Sequence, residues 1–79
     1  MDTPDPPRWT RPRSATDLGR FVRRVRRHRG ITQEALAADL GITRQYVSEL
    51  ENGAENLYVR RLFEIFDELG IDVRLEERP

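Results

Sequence analysis

The chain has 79 residues, 37 % of them hydrophobic and 35 % charged, which is room for one small domain with a thin core. Its 14 basic and 14 acidic side chains cancel, it has no cysteine and a single histidine, and no apolar run reaches the roughly 18 residues of a membrane span. Disulfide frameworks and thiolate metal sites are thereby excluded. No carboxylate cluster with a base, no metal-ligand spacing and no glycine-rich nucleotide fingerprint is present, so the inventory argues against an enzyme, a metal or a cofactor. The charged, proline-rich start is unlike a secretory signal, and a cytoplasmic protein is expected.

The zero net charge is divided. Residues 1–30 hold nine arginines against Asp2, Asp5 and Asp17, a surplus of +6. Residues 31–79 hold five arginines against eleven acids. Every basic residue is arginine, whose planar donor fork suits phosphate, and a basic half points toward a polyanion.

In chain order, residues 1–13 contain Pro4, Pro6, Pro7 and Pro12 and cannot hold a regular helix. A flexible arm is expected there, with Arg8, Trp9, Arg11 and Arg13 as its sharper features; a disordered tail competes with an arm that enters a DNA groove. Ser14 is placed to cap a first helix, with Asp17 as the reciprocal acid of a capping box. Leu18, Phe21, Val22 and Val25 give that helix one apolar stripe, and Gly30 ends it. Thr32 caps a short second helix, Gln33 to about Leu40, stopped by Gly41. Thr43 caps a third, Arg44 to about Asn52, stopped by Gly53. Asn56 caps a fourth, Leu57 to Leu69, stopped by Gly70, with Val59, Leu62, Phe63, Phe66 and Leu69 as its stripe. Ile71, Val73 and Leu75 then alternate with charged residues, a strand signal. A lone strand needs a partner for its amides and carbonyls, and a second copy of the chain is the simplest one.

The segment Gln33–Gly53 reads as a helix-turn-helix. Ala37 is small where two helices cross, Gly41 opens the turn, and Leu36, Leu40, Ile42, Val47 and Leu50 are apolar where the helices share a core. Arg44, Gln45, Ser48 and Glu49 are left facing outward. These residues resemble the xenobiotic-response-element class of helix-turn-helix repressors, which includes the phage repressors. The string RRVRRHRGITQEALAADLG followed by VSELENG carries the resemblance, which covers residues 18–70. The continuation LFEIFDELGIDVRLE resembles the HipB-type antitoxins. That resemblance implies C-terminal strands paired between two subunits, repression of the protein's own operon, and a HipA-type serine/threonine kinase toxin as partner.

The expected fold is all-α: a compact four-to-five-helix repressor-like bundle over residues 14–70, followed by a dimerisation strand and tail over 71–79. The expected ligand is double-stranded DNA carrying a palindromic operator. Arg44 can donate twice to guanine, Gln45 can pair with adenine, and Ser48 can take either hydrogen-bonding role. Glu49 repels phosphate and is expected off the groove or paired with an arginine. Gln33 and Thr43 stand at helix starts that suit a phosphate, and Tyr46 can offer its hydroxyl. The resemblance also places Gln33 and Asn52 on the DNA backbone and makes Arg26 structural. Arg23 and Arg27 share a helix face and either supply phosphate charge or pair with acids such as Glu34 and Glu51. His28 reads as solvent-facing. A homodimer is expected through Ile71, Val73 and Leu75, joined by Tyr58, with Leu57 and Ile65 either at that interface or in the core. Two other readings stay open: a free-standing regulator without a toxin, and a protein-binding adaptor built on the acidic half.

Overall fold

The structure, a computed structural model, describes residues 8–79; residues 1–7 of the expected arm lie outside the described residues. In chain order the elements are β1 (Trp9–Thr10), α1 (Ala15–His28), α2 (Gln33–Leu40), α3 (Arg44–Glu51), α4 (Leu57–Leu69) and β2 (Leu75–Glu76). The fold is a repressor-like set of four helices with a small antiparallel sheet.

The helix boundaries follow from local chemistry. Each helix starts under a side-chain oxygen that takes up an orphan amide: Ser14 for Asp17, Thr32 for Ala35, Thr43 for Tyr46 and Asn56 for Val59. The capping box is displaced by one residue. The Asp17 carboxylate accepts from the amide of Arg13, at 2.8 Å, rather than from that of Ser14. The bend between α2 and α3 depends on Gly41 at φ 67°, where the Ile42 amide bonds the Ala37 carbonyl at 3.0 Å, so the chain reverses within three residues.

The core sits where α1 and α2 pack on α3. Phe21 from α1, Ala37 from α2 and Val47 from α3 are buried, with Ala15 at the start of α1. Gly19 lets α1 cross the end of α3 closely. A Cβ there would meet the backbone of Leu50 and lie 2.7 Å from the carbonyl oxygen of Glu51.

Three expected core residues lie elsewhere. Leu40, Ile42 and Leu50 are exposed, because a chain this short has too little interior to enclose them. Leu50 instead lines an open groove of about 300 Å³ with Leu18, Tyr46 and Val59. The stripe on α4 divides in the same way. Val59, Phe63 and Phe66 are half-buried, Leu62 and Leu69 are exposed, and no residue of α4 is fully buried.

The C-terminal strand also departs from expectation. It finds its partner in the same chain: Trp9 faces Glu76 and Thr10 faces Leu75 in antiparallel register. The Glu77 amide donates to the Arg8 carbonyl at 2.7 Å, and the Arg74 guanidinium lies over the Trp9 ring, 4.4 Å from its centroid. Residues 8–10, expected in a free arm, are therefore tied to the tail. Of the alternating residues, Ile71 is exposed, while Val73 and Leu75 are half-buried.

Candidate nucleic-acid interface

The site begins with a buried carboxylate. Val47 and Glu51 are four residues apart on α3 and so share one helix face; Val47 packs in the core, and that face also buries Glu51. A buried charge is tolerated only when it is paired and hydrogen-bonded. Arg26 of α1 supplies both, donating from Nε to Glu51 Oε2 at 2.6 Å and from Nη2 to Oε1 at 3.0 Å. Its Nη1 donates to the Ile31 carbonyl at 2.7 Å. Gln33 of α2 completes the shell, its Nε2 donating to Glu51 Oε1 at 3.1 Å. The hydrogen bonds from Arg26 hold the Glu51 carboxyl below its usual range against the opposing effect of burial, and they raise Arg26 in turn. One carboxylate thus joins α1, α2 and α3. The arginine that resemblance marked as structural is built into the scaffold.

Above this anchor lies an open concavity of about 450 Å³, lined by Arg23, Arg27, Gln33, Arg44, Ser48 and Asn52 among others. The fold brings together four of the expected contact residues there: Gln33, Arg44, Ser48 and Asn52. Arg44 stands in the first turn of α3 with 65 % of its side chain exposed, 3.0 Å from the equally exposed Glu34. An exposed pair of this kind holds Arg44 by at most about 1 kcal/mol, so the guanidinium is available to a stronger acceptor. Asn52 donates from Nδ2 to the Ser48 carbonyl at 2.9 Å, which ties the end of α3 to its middle.

The other three sit apart from that concavity. Thr43 uses its hydroxyl to cap α3. Gln45 is exposed, and its Nε2 donates to Glu49 Oε1 at 3.0 Å; the acid expected off the groove or on an arginine is held by a glutamine one turn away. Tyr46 is exposed beside the groove shared with Leu18, Leu50 and Val59. Sequence reading named Glu51 only as an acid for Arg23 or Arg27 and missed that it is buried and held by Arg26. The signal was its i, i+4 spacing from Val47, which places a charge on the buried face and so demands a partner.

Two short helices joined at a tight turn, braced from below by one ion pair and open above, are the framework of a helix-turn-helix domain. The chain belongs to this family: the helix-turn-helix family model matches residues 22–75. A curated relative, an uncharacterized HTH-type transcriptional regulator y4dJ of Sinorhizobium fredii (strain NBRC 101917 / NGR234), is 41 % identical over 54 residues, covering 68 % of this chain and 70 % of its own length. No solved structure matches the chain. No helix among the described residues is long and apolar enough to cross a membrane, and no group of three metal-ligating side chains occurs among them.

Proposed function

We propose that this DNA-binding helix-turn-helix regulator is a sequence-specific transcriptional repressor that acts as a homodimer on a palindromic operator in the cytoplasm. One observation carries the reading: Gln33, Arg44, Ser48 and Asn52 converge on a single open concavity at the exposed side of α3. Arg44 and Ser48 are one helical turn apart and reach base edges when α3 enters a major groove. Gln33, Asn52 and the Thr43 start of α3 take backbone phosphates, which set register without reading sequence. Gln45 reads a base after leaving Glu49, and Tyr46 reaches the backbone beside it. A single domain makes few such contacts, so a second copy is needed, with half-sites about 10 bp apart or a multiple of that.

A finer reading, an antitoxin that represses its own operon and binds a HipA-type kinase, is supported by the resemblance of residues 62–76 alone. Copurification with the product of the adjacent reading frame supports it; a lone gene returns the protein to the class of free-standing regulators.

The test is a footprint on the DNA upstream of the protein's own gene. Two protected half-sites are expected. Arg44→Ala is expected to weaken operator binding by about 1–3 kcal/mol and relax preference at one base pair of each half-site. Equal loss on random DNA makes Arg44 a phosphate contact, and absence of any protected site on that DNA overturns self-repression.

A further inference from the structure

α4 is apolar over a wider arc than its own chain covers. Val59, Phe63 and Phe66 turn toward the segment around Pro12–Leu18 and are half-buried. A second stripe, Tyr58, Leu62, Ile65 and Leu69, is spaced by four, three and four residues. That spacing lines up one face over three turns. These four side chains are 77 %, 37 %, 51 % and 67 % exposed, and Ile71 extends the patch beyond the helix end at 47 %. A helix apolar on two faces is buried on both in its working state, and a patch of this kind marks an interaction site.

Charge identifies the occupant. Arg61 and Glu68 lie on one flank of the exposed stripe, two turns apart and opposite in sign. Laid antiparallel against a second α4, Arg61 of each copy falls beside Glu68 of the other, and the two-fold axis passes beside Glu64 and Ile65. Parallel packing puts the Arg61–Glu68 flanks of the two copies on opposite sides of the seam, against Val59 and Phe66 of the other helix, and leaves both charges without a partner across it. Among the described residues Arg61 pairs with Glu64, at 2.7 Å, with both side chains more than half exposed, so exchanging that partner costs little. The strand is the less suitable element: one edge of β2 is already filled by β1 of its own chain, whereas nothing among the described residues covers the outer face of α4.

We propose that a second copy of this chain docks on the exposed stripe of α4, antiparallel and two-fold, with reciprocal Arg61–Glu68 ion pairs flanking a seam of Tyr58, Leu62, Ile65 and Leu69. The proposal rests on the regulator reading for its demand for two copies, and it moves the main interface from strand to helix. The seam residues of the two copies alternate along the helix axis, in the manner of knobs-into-holes packing, and both copies use the same patch.

The chain has no cysteine, so single-cysteine variants report this geometry cleanly. Ile65→Cys lies at the axis and Tyr58→Cys lies about 20 Å from its copy along antiparallel helices. At high protein concentration under a mild oxidant, Ile65→Cys is expected to form a disulfide dimer and Tyr58→Cys is not. Equal cross-linking of both variants overturns the antiparallel arrangement, and no Ile65→Cys dimer overturns the interface. In sedimentation equilibrium, Arg61→Glu and Glu68→Arg are each expected to weaken dimerisation about tenfold, and the double variant to restore it. Single swaps without effect, or a double swap without rescue, remove the charge argument and with it the choice of a second copy. Operator footprinting runs beside these measurements. Cross-linking without a footprint refutes self-repression and leaves the helix pairing intact; a two-half-site footprint without cross-linking refutes the pairing alone.

Discussion

Glu51 concentrates the energetics of the site in one side chain. Its carboxylate is almost fully enclosed and accepts three hydrogen bonds from Arg26 and Gln33. Removing one partner of a buried pair leaves the other charge uncompensated. Glu51→Gln is therefore expected to cost about 3 kcal/mol in urea unfolding, while Arg44→Ala at the exposed end of α3 stays within about 0.5 kcal/mol. Because the Glu51 carboxyl is held below its usual range in the folded chain, its contribution is complete above the unfolded carboxylate pKa near 4.3 and is lost as pH falls through the depressed folded value. The wild type should lose stability through that acid window and Glu51→Gln should lose less; parallel acid profiles would show that the pair is not linked to folding. Sequence reading named Arg44 and Ser48 because polar residues facing out of a short helix have no structural reason to be there, and Gln33 because it starts a helix and through the resemblance. It offered Glu51 to Arg23 and Arg27 rather than to Arg26, because one acid among fourteen reveals its burial only once the helix face is drawn.

At the scale of elements, punctuation was legible and packing was not. The caps Ser14, Thr32, Thr43 and Asn56 and the left-handed glycines after the helices are local, carried by two or three residues each, and the structure has them where the sequence reading put them. The α4 stripe was read as one core face, yet its apolar arc is wide enough for two neighbours, and periodicity does not say which neighbour is in the same chain. β1 carries no period at all: two residues within a proline-rich stretch become a strand only because β2 lies beside them. Gly19 is the element-level residue with the sharpest consequence. It lies inside α1, where alanine has the better helix propensity by about 1 kcal/mol, yet a Cβ would press into the last turn of α3. Overpacking of this kind costs about 1–3 kcal/mol. Gly19→Ala is expected to lower the melting temperature despite the propensity gain; an unchanged or higher value would mean that α1 and α3 move apart freely.

The whole molecule is neutral but strongly divided, and DNA meets only part of it. Among the basic residues of the first half, Arg26 is committed to Glu51 and Arg29 to Glu77, at 2.7 Å, and to the Arg78 carbonyl at 2.6 Å. The second of these pairs fastens the acidic tail to the end of α1. Arg23 and Arg27 instead line the same concavity as Arg44 and Ser48, although both read from sequence alone as readily as a solvated face. We propose from that position that they supply phosphate charge to the site. Each phosphate neutralised contributes about −0.9 to the slope of log K against log salt. Replacing both arginines with alanine should therefore flatten the slope by nearly 2 per subunit, with equal loss on operator and random DNA, since phosphate contacts carry no sequence information. Arg44→Ala should do the opposite, lowering the preference for operator over random DNA and changing the slope little. Measured together, the two salt titrations separate the side chains that hold the domain on the duplex from those that read it. An unchanged slope in the Arg23/Arg27 variant would return that pair to the solvent-facing surface and leave Gln33, Thr43 and Asn52 as the backbone contacts.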